Sequence, residues 1–125
     1  MTNTKLSELI DTYLEGWKIG DGALSLSATN EEFTYDDPDT GTIQREDFVD
    51  FVNDFKSLAV QMGAAENTQP FLKYTDVVIH QETDNTAIVW CWWHANGTDL
   101  QGSAVIKASD QGILHEKIAY FSKLP

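Results

Sequence analysis

Ala87-Ile88-Val89-Trp90-Cys91-Trp92-Trp93-His94-Ala95-Asn96-Gly97-Thr98-Asp99-Leu100-Gln101-Gly102-Ser103-Ala104-Val105-Ile106-Lys107-Ala108 is two β-branched and aromatic runs around an Asn-Gly pair. Asn-Gly supplies the positive φ angles that a tight hairpin needs, so residues 87–95 and 100–108 read as adjacent antiparallel strands. Turn residues at Thr83-Asp84-Asn85-Thr86 and at Ser109-Asp110-Gln111-Gly112 bound the hairpin. Outside them lie a strand over about 71–81 and a last one over about 113–122. The C-terminal half is therefore a four-stranded meander.

The N-terminal half has the helical period. Leu6, Leu9, Ile10, Tyr13, Leu14 and Trp17 fall on one stripe, with Glu8, Asp11, Thr12 and Glu15 turned away. Gly20-Asp21-Gly22 interrupts it, and Asp21 can cap a short second helix through Leu24, Leu26 and Ala28. A third helix, about 45–62, carries Phe48, Phe51, Val52, Phe55, Leu58, Ala59 and Met62 on one side. Between the second and third helices, Phe33-Thr34-Tyr35-Asp36-Asp37 reads as a strand that places Phe33, Tyr35 and Asp37 on one face. Pro38-Asp39-Thr40-Gly41 then turns the chain. Helices segregated beside an antiparallel sheet give an α+β class: three N-terminal helices on a strongly curved antiparallel sheet, a cone with an internal cavity.

At 125 residues, with 42% apolar and 11% aromatic content, residues 1–125 are expected to form a single domain with a substantial core. The formal charge of −12, from 20 acidic and 8 basic residues, leaves no basic stripe for nucleic acid or an anionic membrane. Cys91 stands alone, so no internal disulfide forms. The three His lack metal-ligand spacing, and no metal or other cofactor is expected. Without an apolar leader or a run near 20 residues, the expected location is cytoplasmic. Trp90 and Trp92 share one face of their strand, Cys91 and Trp93 the other. Parity leaves open which looks inward, but both faces are apolar and both need covering, which points to a homodimer through the sheet.

Three segments carry a family resemblance across nearly the whole length: Tyr13-Leu14-Glu15-Gly16-Trp17-Lys18-Ile19-Gly20-Asp21, the Phe33-x-Tyr35-x-Asp37-Pro38 strand, and Gly112-Ile113-Leu114-His115-Glu116-Lys117. With the element order, they resemble the superfamily of nuclear transport factor two, SnoaL-like polyketide cyclases and ketosteroid isomerases, which have the cystatin-like fold. The resemblance implies Tyr13 as an oxyanion donor and Asp37 as a general base. The isomerases' protonated Asp on the penultimate strand has Ala104 or Ile106 in its place, and neither donates.

Tyr13 and Asp37 are thus the candidate catalytic pair. Trp17, Phe33, Tyr35, Phe55 and Phe121 are the expected cavity lining, and Lys117 is a candidate for binding an anion or enolate. The plainer alternatives are a core phenol at Tyr13, an Asx-turn carboxylate at Asp37, and a solvent-seeking ammonium at Lys117. Three functions follow. One is a cofactor-independent isomerase, cyclase or lyase acting on a small apolar carbonyl compound. The others are a binding module for a hydrophobic ligand and an interaction protein using its sheet.

Overall fold

The computed structural model describes residues 3–125. Helix α1 (Thr4–Ile19) starts where the Asn3 side chain accepts from the backbone N–H of Leu6, and ends at Gly20 with φ 74°. Asp21 caps α2 (Gly22–Ser27) by accepting from Leu24 N at 3.1 Å. Strands β1 (Thr29–Asp37) and β2 (Gly41–Gln44) form a hairpin around the Pro38 turn. One tight turn, Arg45–Asp47, leads into α3 (Phe48–Gln61). The meander follows as β3 (Leu72–Gln81), β4 (Thr86–Ala95), β5 (Gln101–Ser109) and β6 (Gly112–Tyr120).

The six strands lie in the order β2-β1-β6-β5-β4-β3. Neighbours are antiparallel except β1 and β6, which run parallel. The sheet is mixed because the chain passes through α3 and the whole meander before its last strand returns to its first. Among the described residues no helix is long and apolar enough to cross a membrane.

Leu6, Ile10, Tyr13 and Trp17 of α1 meet Phe48, Val52, Phe55 and Ala59 of α3 and the inner face of the sheet. Cys91 and Trp93 belong to that inner face and Trp90 to the outer, which settles the parity left open above. Aromatic rings fill most of the space between sheet and helices. Phe48 lies 5.2 Å from Phe33 and 5.7 Å from Trp17, and Phe55 lies 5.5 Å from both Trp17 and Trp93, measured between ring centres. The cavity that remains is about 10 Å³, space for one water-sized group.

Candidate functional site

The interior site depends on a fault in strand β6. Its ladder with β5 pairs Ala108 with Ile113 and then Lys107 with His115, so Leu114 is an extra residue. A bulge of this kind reverses the facing of everything beyond it. Ile113 is buried; two residues further on, His115 faces outward, while Glu116 and Ile118 are buried. Glu116 is thereby delivered into the core at 2% exposure.

Across the core, α1 presents Tyr13 and Trp17 one turn apart, and the Tyr13 hydroxyl donates to Glu116 Oε1. The Trp17 indole N–H lies close enough to the carboxylate to favour its charged form, yet outside hydrogen-bond geometry. It is a buried donor that meets no acceptor in ordinary hydrogen-bond geometry. Trp17 and Glu116 line the small cavity with Tyr35, Phe55, Tyr74 and Trp93.

Burial raises the Glu116 pKa to about 7, against the opposing pull of the Tyr13 and Trp17 hydrogen donors. The Tyr13 phenol is pushed well above its ordinary value, by burial first and by the adjacent Glu116 charge second. Tyr13 therefore keeps its proton, and Glu116 is the group that exchanges one near neutrality. Tyr35 and Tyr74 are raised for the same two reasons.

Asp37 is buried and shares its face with Phe33 and Tyr35, as the strand parity predicts. Its carboxylate, however, is engaged at the end of the strand. Oδ1 accepts from the backbone N–H groups of Asp39 at 2.7 Å and Thr40 at 3.1 Å, and Oδ2 accepts from the Tyr120 hydroxyl at 2.6 Å. This is the Asx-turn arrangement, made possible by Pro38 and the turn that follows. The structure does not bring Tyr13 and Asp37 to one cavity. Tyr13 is committed to Glu116, Asp37 to Tyr120, and neither lines the interior cavity.

Of the expected lining, Trp17, Tyr35 and Phe55 are at the cavity. Phe33 packs behind it, 5.8 Å from the Tyr13 ring. Lys117 and Phe121 are corrections. Beyond the Leu114 bulge Lys117 faces solvent, while Phe121, 58% exposed, stacks on Trp92 at 4.4 Å on the outer side. Glu116 was missed because an acidic residue between His115 and Lys117 reads as solvated surface, and a bulge leaves no mark in hydrophobic alternation.

Cys91 is buried and its thiol is pushed up to about 12, chiefly by desolvation, so it is an inert part of the core. Among the described residues no group of three or more His, Cys, Asp or Glu side chains is placed to hold a metal ion.

No protein-family model matches the sequence. No curated protein matches it significantly. Solved structures do share the fold. An NTF2-like protein from Anabaena variabilis ATCC 29413 superposes with a TM-score of 0.65 at 12% identity, covering 98% of this chain and 96% of that one. A ketosteroid isomerase-like protein from Erwinia carotovora atroseptica SCRI1043 gives 0.64 at 10% identity, covering 97% and 99%. A cystatin-like-fold protein of unknown function from Methylobium petroleophilum PM1 gives 0.64 at 11%, covering 100% and 81%. The chain has the NTF2-like, cystatin-like α+β cone fold.

Proposed function

We propose that this NTF2-like domain binds a small, largely apolar carbonyl compound with its carbonyl group directed at the interior cavity and moves a proton on it without a cofactor. The observation that carries this reading is Glu116, a buried carboxylate facing an aromatic-lined space beside an unpartnered indole N–H. Glu116 takes the role that the family resemblance implies for Asp37. It removes a proton from the carbon next to the carbonyl, and the electron pair moves onto the oxygen. Trp17 Nε1–H stabilises the developing oxyanion, and Glu116 returns the proton to carbon. Tyr13 positions Glu116 through its hydrogen bond. Isomerisation, cyclisation and elimination all share this first step. The fold carries no chemistry by itself, so the reading rests on the site.

Incubation of butan-2-one with the protein in D2O tests it. Deuterium should enter next to the carbonyl, with a rate that rises with pH and levels off above about 7, where Glu116 is ionised. Glu116→Gln should abolish that incorporation. Equal incorporation by both proteins would sink the catalytic reading. Ketone-induced movement of the Trp17 indole resonance without any incorporation would leave a binding module.

A second reading concerns the outer sheet face. Trp90, Val78 and Phe121 are 53%, 57% and 58% exposed there. Large apolar groups clustered on a sheet face mark a contact surface, and a second copy of this chain is the occupant we propose. Sedimentation should give a dimer at micromolar concentration and a monomer for Trp90→Lys. A wild-type monomer under those conditions would overturn the dimer.

A further inference from the structure

Outside the interior cavity, α1 and the edge strand β3 enclose a groove of about 500 Å³. That is a size typical of small-molecule sites. Two of its wall residues, Leu72 and Tyr74, also line the cavity that holds Glu116. Groove and cavity are therefore the two sides of one side-chain partition. We propose that the groove is the outer half of the ligand site. The ligand is then an elongated, uncharged carbonyl compound whose oxygen reaches Trp17 and whose hydrocarbon tail lies against Leu14, Leu72 and Val77.

The size of the interior cavity supports this division. It accepts a single water-sized group, such as a carbonyl oxygen, and the carbon skeleton behind that oxygen must pass the partition. Tyr74 is the part of the partition able to give way. It is only half-buried, and its strand pairs on one side alone. The ladder between β3 and β4 also shifts register between Thr75 and Val78, beside Asp76 with φ 54°. Edge position and a broken ladder are the marks of a segment that opens locally at low cost.

Charge defines the tail. Asp11, Glu15 and Lys18 of α1 and Lys73 of β3 line the groove, two acids and two ammonium groups, in a chain whose formal charge is −12. A locally neutral groove with apolar walls suits an uncharged hydrocarbon.

This inference rests on the interior site proposed above, and its test separates the two. The probes are linear methyl ketones from butan-2-one to octan-2-one, titrated while the Trp17 indole N–H resonance is followed by NMR and identified with Trp17→Phe. Affinity should rise about fourfold for each added methylene, as expected for hydrocarbon leaving water. Val77→Asp puts a charge on the groove at a position already 42% exposed, so the fold tolerates it. In that variant the dependence on chain length should disappear while butan-2-one still moves the resonance. A flat series in the wild type, or an equally steep one in Val77→Asp, overturns the groove. Failure of every ketone to move the Trp17 resonance overturns the interior site and the groove with it.

Discussion

Glu116 couples proton binding to folding in a direction opposite to that of most acidic residues. Its pKa stands near 4.5 in the unfolded chain and about 7 when buried. Between these values the folded state holds more protons than the unfolded one, so stability falls as pH rises. The contribution is fully present below about 4.5 and lost as pH passes through about 7, on the order of 3 kcal/mol in all. Glu116→Gln keeps an acceptor for Tyr13 and removes the titration. Denaturant melts from pH 5 to 8 should therefore show a smaller decline in the variant. An unchanged decline would mean that another group is responsible. Asp37 should behave differently. Asp37→Ala strips partners from two backbone N–H groups and from Tyr120, costing roughly 2–3 kcal/mol in urea melts, whereas deuterium incorporation by the folded variant should persist. Loss of incorporation would restore Asp37 to the chemistry.

Among the elements, α1 and α2 cross in tight contact. A Cβ added to Gly16 would land on the Ser25 side chain and backbone, and Ser25 Oγ is itself fixed by donating to the Tyr13 carbonyl at 2.7 Å. Gly16→Ala should cost roughly 3 kcal/mol and lower the melting temperature by about 10 °C, with the Tyr13–Glu116 contact disturbed as α1 shifts. A melt within two or three degrees of wild type, on the order of 1 kcal/mol, would show that the helices can separate there freely. The helices themselves were readable because burial on one side forces a 3.6-residue rhythm, seen in Leu6, Ile10, Tyr13 and Trp17. The Asn96-Gly97 hairpin was readable from turn chemistry. Strand β2 was not: its four residues are mostly exposed, so no alternation records them. The inner residues of β6 were misassigned for a related reason, since Leu114 inserts without any local signature and reverses Glu116 and Lys117 together. The aromatic lining was legible as composition, but how far the rings would fill the cone depends on packing that no spacing encodes.

At the scale of the whole molecule, like charges dominate the surface. Twenty acidic residues face 8 basic ones, and among the described residues only Lys18–Glu15 and His115–Asp36 come within ion-pair distance. Compaction concentrates this uncompensated charge, and salt screens it. Raising NaCl from about 0.05 to 0.5 M should increase stability by about 1 kcal/mol, or roughly 4 °C in melting temperature by calorimetry. A melting temperature that falls with salt would show that attractive pairs outweigh the repulsion. The parallel seam between β1 and β6 has a consequence of another kind. On a ribosome the chain emerges in order, and β1 with its hairpin partner β2 is complete some seventy residues before β6 exists to hold it against the rest of the sheet. Such distant pairing slows folding and leaves strand edges open while it waits. The newborn chain must keep β1 from pairing elsewhere until β6, through Tyr120, has left the tunnel, which makes the arrival of β6 the step that closes the seam.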